Sequence, residues 1–209
     1  MRDKNFFTTA ALLITIILIA GAIYFYKTKP AEEPASQETP QVITETEEPD
    51  KETVLTKDGF ALTLPVGWSE ITPPQENILA MGVDSREEIN DEKVKETGFR
   101  TNLSIQQDDL SKYEQPYSLS DYVDSVKTSL MQAIPGIEFA KEEQGEINGF
   151  DAVFVECWST QEEIDFATLL VFFKDANNFI WAISFNTLHD SWLTYQDVFY
   201  QIAESFKLE

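Results

Sequence analysis

Residues 146–187 read EINGFDAVFVECWSTQEEIDFATLLVFFKDANNFIWAISFNT, and the turns and apolar runs of this stretch decide the architecture. Asn148-Gly149 is the strongest short-range hairpin signal, because a tight hairpin turn needs positive φ at both central positions and these two residues tolerate it. The run Phe166–Lys174 is apolar on both alternating faces, which marks a strand covered from two sides. Residues 175–178 (DANN) then turn the chain, and Phe179–Thr187 is a further strand. Connections this short join antiparallel neighbours, so the centre of the fold is an antiparallel meander.

Working outward, residues 57–65 (KDGFALTLP) open with a turn. Phe60, Leu62 and Leu64 then alternate with Ala61 and Thr63 in a half-buried strand that Pro65 ends. Residues 78–83 (ILAMGV) read as a short strand, and the charged residues 84–98 as an exposed loop. Phe99, Thr101, Leu103 and Ile105 alternate with Arg100, Asn102, Ser104 and Gln106, a clear two-residue period. A helix follows, capped by Ser118 with Asp121 three residues on. It carries Leu119, Tyr122, Val123, Val126, Leu130, Ala133 and Ile134 on one face, and Pro135-Gly136 stops it. Ser191 opens a second helix, with Trp192, Tyr195, Phe199, Ile202 and Phe206 on its apolar side. Strands, helix, meander, helix predicts an α+β domain: an antiparallel β-sheet flanked by α-helices.

The first fifty residues are of another kind. Phe6–Tyr26 is a run of 21 residues without a charge, which as a helix spans about 31 Å, the thickness of a bilayer core. Arg2 and Lys4 precede it, Lys27 and Lys29 follow it, and Tyr24 and Tyr26 sit where aromatic rings favour the interface. Leu18-Ile19-Ala20-Gly21 resembles the approach to a lipidation cysteine, but the next residue is Ala22, so that route is closed. Cleavage after Ala22 satisfies the small-residue rule for signal peptidase, yet the apolar run continues through Ile23–Tyr26. The reading is therefore an uncleaved signal anchor, with cleavage after Ala22 as the alternative. Two basic residues on each flank nearly tie the orientation rule, and the free amino terminus tips it toward an inside N-terminus. Residues 30–52 hold four prolines, eight acidic residues, one lysine and no aromatic, a composition that favours an extended, disordered stalk reaching at most roughly 80 Å. The expected organisation is a short cytoplasmic tail (1–5), a transmembrane anchor (6–26), a linker (27–53) and a folded domain (54–209).

The chain carries a net charge of −22, of which −18 falls on residues 53–209. Such a surface repels phosphate backbones and anionic lipid heads, which argues against nucleic-acid binding. One cysteine, Cys157, and one histidine, His189, exclude a disulfide framework and the usual zinc sites. Cys157 lies in an apolar strand and reads as a buried structural thiol, with Glu156 beside it opposing thiolate formation. His189-Asp190 is a candidate base and orienter for a hydrolase, but no Gly-x-Ser-x-Gly turn supplies a nucleophile. His189 reads as a surface residue in the turn before the last helix. Acidic clusters at Asp84/Glu87/Glu88/Asp91/Glu92, at Asp108/Asp109 and at Glu162/Glu163/Asp165 are candidate calcium ligands, although none has the spacing of a calcium loop. Asn102-Leu103-Ser104 fits a glycosylation acceptor but falls inside a strand. No catalytic or cofactor-binding residue is assigned on these grounds.

Four segments together resemble the PsbP-like domain family. They are residues 59–70 (GFALTLPVGWSE), 118–130 (SLSDYVDSVKTSL), 147–152 (INGFDA) and 198–207 (VFYQIAESFK), in order and at suitable spacing over about residues 54–208. The resemblance implies a central antiparallel sheet between helices. It also implies an extracytoplasmic location, because bacterial relatives are usually exported and lipid-anchored; here a membrane helix stands in place of the anchoring cysteine. It brings no catalytic residues and no cofactor. The expectation is a non-enzymatic, membrane-anchored binding or accessory domain that engages a protein partner, with a hydrolytic enzyme or a calcium-responsive module as the alternatives.

Overall fold

The computed structural model describes residues 51–57, 59–113 and 117–209. The anchor at 6–26, and the linker as far as residue 50, lie outside the described residues. Among the described residues no helix is long and apolar enough to cross a membrane.

The meander forms as its turns require. Strand β6 (Glu138–Ile147) pairs with β7 (Phe150–Gln161) across Asn148-Gly149, whose φ angles of 52° and 82° are those of a mirror-image tight turn. β7 continues through a two-residue turn into β8 (Ile164–Lys174), and β8 through residues 175–178 into β9 (Phe179–Leu188), all antiparallel. In that last turn Asp175 Oδ1 accepts from the Asn177 and Phe179 amides at 2.8 and 3.0 Å, and its Oδ2 accepts from Trp181 Nε1 at 2.9 Å. β9 pairs with β5 (Asn102–Asp109), β5 with β4 (Ala80–Asp84), and β4 with β3 (Trp68–Ile71). The result is a seven-stranded sheet in the order β3-β4-β5-β9-β8-β7-β6.

Both faces of this sheet are covered, as the apolar run of β8 predicts. Helix α2 (Leu119–Ala133) buries Tyr122, Val123, Val126 and Leu130 against Val153, Val155, Cys157, Leu170 and Phe172. Ser118 and Asp121 form its capping box, as expected, while Ala133 is exposed. Helix α3 (Trp192–Glu204) lies on the opposite face with Trp192, Tyr195, Phe199 and Ile202 in the larger core. Ser191 precedes it as expected, but its side chain makes no cap hydrogen bond, because a 3-10 turn over His189–Ser191 already leads the chain into the helix. Beside α3, β1 (Thr53–Lys57), β2 (Phe60–Leu64) and β10 (Lys207–Leu208) form a second, three-stranded sheet in the order β1-β2-β10. Phe60 stacks on Phe206 at 5.3 Å and meets Trp181 edge-on at 5.5 Å, which joins the small sheet to the large one.

Three expectations change. The charged stretch 84–98 is not wholly a loop: helix α1 (Glu92–Thr97) forms inside it, capped by Asp91 and closed by Gly98 at φ 71°, with Val94 buried on Phe99 and Phe166. The helices flank a large sheet that is accompanied by a small one, and strands β1, β3 and β10 were not expected; β1 takes in Thr53, which the sequence reading gave to the linker. The polar side of β5 does not face water either. Asn102, Ser104 and Gln106 are buried, on a strand that lies inside the sheet between β4 and β9. Asn186 Nδ2, directly across from Asn102, donates to its Oδ1 at 3.3 Å, and Thr168 Oγ1 donates to Asn186 Oδ1 at 3.0 Å. Burial and these bonds place the Asn102 amide out of reach of a modifying enzyme in the folded state.

Candidate interaction site

His189 ends β9 and begins the turn into α3, so one side chain is fixed at the junction of sheet and helix. Its ring meets the half-buried Trp158 edge-on at 5.4 Å, and Trp158 meets Trp192 at 4.9 Å. The register of the β7–β8 hairpin sets Thr160 opposite Asp165, and Thr160 Oγ1 donates to Asp165 Oδ1 at 2.6 Å. The register of β6 with β7 sets Glu138 opposite Trp158. These residues, with Gly136, Ser159 and Phe166, line an open cavity of about 230 Å³. An indole, an imidazole, two hydroxyls and two carboxylates therefore share one concavity. Among the described residues His189 makes no hydrogen bond to the Ser159 or Thr160 hydroxyl of this cavity, and Asp190, fully exposed, lies 3.9 Å from His189 Nδ1. The arrangement suits recognition of a polar group better than acyl transfer.

Charge is distributed unevenly around it. Lys127 pairs with Glu142 at 2.6 Å, Lys141 with Glu143 at 2.8 Å, Lys95 with Glu92 at 2.8 Å, and Lys93 with Glu163. Among the described residues neither Glu138 nor Asp165 has such a partner. The turn between them and α1 is itself unusual. Glu162 and Glu163 take φ of 50° and 67°, a conformation that L side chains avoid.

The other sequence candidates serve the fold. Asp84 accepts from Tyr195 Oη at 2.8 Å, and burial is the main reason that this phenol's pKa is raised. Glu87 receives the amide and hydroxyl of Thr101, and burial nonetheless lifts its carboxyl above the ordinary value. Asp91 caps α1, Asp108 accepts from Tyr113 Oη at 2.7 Å, and Asp109 caps the short turn after β5. Glu163 is held by Lys93 and Asp165 by Thr160. Among the described residues no three His, Cys, Asp or Glu side chains are grouped to hold a metal ion. Cys157 is buried against α2, and its pKa is pushed up to about 12 by burial alone. Glu156 does not act on it, because adjacent strand residues point to opposite faces; Glu156 faces α3, accepting from Gln196 Nε2 and Tyr200 Oη at 3.0 Å each.

Sequence reading found His189 and Asp165 but did not bring them together, and missed Glu138, Trp158 and Thr160. The hairpin registers were the signal that could have linked them.

A domain of this layout has the PsbP-like fold. The cyanobacterial PsbP protein CyanoP of Synechocystis superposes with a TM-score of 0.56 at 15% identity, covering 77% of this chain and 94% of its own. LpqN of Mycobacterium tuberculosis, involved in cell envelope biogenesis, gives 0.55 at 12% identity over 76% of this chain and 90% of its own. The Ran-binding protein Mog1p of Saccharomyces cerevisiae gives 0.52 at 11% identity, covering 76% and 94%. At such identities the likeness is one of fold. No protein-family model and no curated protein sequence matches the chain.

Proposed function

We propose that this chain is a non-catalytic accessory protein whose PsbP-like domain binds a protein partner while residues 6–26 hold it at the membrane and residues 27–52 serve as its stalk. The domain stands on the extracytoplasmic side in this reading. The observation that carries it is the use of the acidic and nucleophilic side chains. Asp84, Glu87, Asp91, Asp108 and Glu156 fasten strands, caps and helix α3, and Cys157 is an inert core thiol. Among the described residues His189 makes no hydrogen bond to the hydroxyls that share its cavity. Supporting it, proteins of the same fold include one that binds Ran and one that takes part in building a cell envelope. The test is affinity capture of the full chain from solubilised membranes, read by mass spectrometry, together with protease treatment of intact cells. The expected result is one stoichiometric protein partner and loss of residues 53–209 to external protease. Recovery of the chain alone, or full protection in intact cells with cleavage only after lysis, overturns the corresponding half.

A further inference from the structure

Asn148 is the one asparagine of the chain that a glycine follows. With no side chain to shield it, the glycine nitrogen is open to attack by way of the neighbouring carboxamide, and asparagine is a thermolabile residue for this reason. The pair forms the tip of the β6–β7 hairpin and is exposed at both positions, with nothing within 4 Å of where a Gly149 side chain would begin. Among the described residues neither the Asn148 carboxamide nor the Gly149 N–H makes a hydrogen bond. Both reacting groups are therefore free and in water.

The turn nevertheless holds them apart. Its φ angles of 52° and 82° are those of a mirror-image type I turn. Such a turn keeps ψ of its first central residue near +30°, which sets the Gly149 nitrogen roughly 150° from the Asn148 Cβ about the Cα–C bond. Ring closure needs the two eclipsed, so the peptide plane must first swing by roughly 150°. The hairpin resists that swing at the tip itself, where Ile147 is 1% exposed in the larger core and Phe150 stacks on Phe173 at 6.4 Å. One residue further back the grip is poorer. Glu146 and Asp151, both exposed, face each other as like charges, and β6 is the last strand of its sheet.

We propose that Asn148 is a modification site gated by this hairpin, converted to isoaspartate when the tip opens. The Gly149 nitrogen attacks Asn148 Cγ and closes a five-membered imide. The Cγ–Nδ2 bond breaks, and the Gly149 proton leaves with Nδ2 as ammonia. Water then adds to one of the two imide carbonyls, giving isoaspartate or aspartate, with nothing oxidised or reduced. The isoaspartyl product runs the main chain through Cβ and Cγ, so the turn between Ile147 and Phe150 becomes longer and its register is lost. Its new carboxylate also adds to the repulsion between Glu146 and Asp151. The change is one-way, and each molecule keeps the mark of an opening that it has passed through.

The test follows the full-length chain in detergent micelles at mildly alkaline pH, beside the acetylated, amidated peptide of residues 145–152, Gly-Glu-Ile-Asn-Gly-Phe-Asp-Ala. Mass spectrometry reads the change from amide to acid at residue 148, and labelling by an isoaspartate methyltransferase reads the product. The folded chain is expected to react at least about tenfold more slowly than the peptide, which corresponds to about 1.4 kcal/mol for opening the tip. Denaturing urea should bring the two to the same rate. I147A, which loosens the anchor, should speed the folded reaction. E146K, which sets opposite charges across the strands, should slow it, read against a peptide with the same lysine. A folded chain that reacts as fast as the peptide overturns the gate. No product from the folded wild type or from I147A overturns the modification site. An unchanged rate in E146K also overturns the inference, and this exposed substitution keeps the test decisive if I147A does not fold.

Discussion

Asp175 offers the sharpest test of how the meander is held. Its carboxylate accepts three hydrogen bonds, from the Asn177 and Phe179 amides and from Trp181 Nε1, while its own amide donates to the Phe179 carbonyl at 2.9 Å. Trp181 is only 4% exposed and packs on Phe60, Phe173 and Phe206, so its indole N–H has no route to water once the acceptor is gone. D175A therefore leaves one buried donor unsatisfied, at about 1–3 kcal/mol. It also removes two charge-assisted turn bonds, whose amides sit near the surface and regain part of that energy from water. The sum is a loss of about 3–5 kcal/mol. For a domain of this size that lowers the midpoint by roughly 6–20 °C. D175N keeps one oxygen for the turn amides or the indole and should lose less than half as much. The assay is urea denaturation followed by tryptophan fluorescence, with the m-value checked for constancy. A loss under about 1 kcal/mol in D175A, or equal losses in the two variants, would show that the indole finds another acceptor and that the reasoning is wrong.

Three further outcomes follow from described geometry. The turn Glu162-Glu163 has both φ angles positive, as Asn148-Gly149 does, but with unsuited residues, so E162N/E163G should raise the thermal midpoint by roughly 2–6 °C despite losing the exposed Lys93 pair; a lower midpoint would count against the backbone argument. A Cβ on Gly145 would stand 2.8 Å from the Phe154 ring, which is itself stacked on Tyr200 at 5.3 Å, so G145A should cost about 1–3 kcal/mol in denaturation while an alanine at the open Gly136 site is felt only through its φ of 82°. Glu87 has a carboxyl raised above 4.5 by burial, so its protonated form is the one that the folded state favours. Its contribution is fully present below pH 4.5 and declines as pH rises through the folded value. Wild type should thus lose stability relative to E87Q over that rise, measured by melting at several pH values; a relative gain would mean that the Thr101 bonds dominate instead.

Local rules were enough for much of this fold. Asn148-Gly149, the doubly apolar β8, the DANN turn and the Ser118–Asp121 cap each state their geometry in a few residues. What stayed hidden needed a partner far away in sequence. Helix α1 is six residues long with one apolar anchor, Val94, and its charges read equally well as a loop. Strand β10 has two residues and exists only because β2 is there to receive it. Asn102, Ser104 and Gln106 carry a water-facing pattern, yet all three are buried: Asn186 bonds Asn102 across the strands, while both polar atoms of the Gln106 amide have no hydrogen-bond partner among the described residues. The cavity under Trp158 was illegible for the same reason. Its walls come from the segments around 136, 158, 165 and 189, none of which is unusual alone.

The small sheet has a consequence for how the protein is made. β2 is closed by β10, and the Thr63 amide donates to Ser205 Oγ, a contact 142 residues apart along the chain. At a synthesis rate of about 5–20 residues per second, β2 waits roughly 7–30 s for the strand that completes it. Throughout that interval Phe60 and Leu62, which end up buried, have no Phe206 to cover them. The nascent chain must therefore pass through a long window with an adhesive, unfinished edge. Its biogenesis would then depend on whatever shields residues 60–64 until the final helix has emerged.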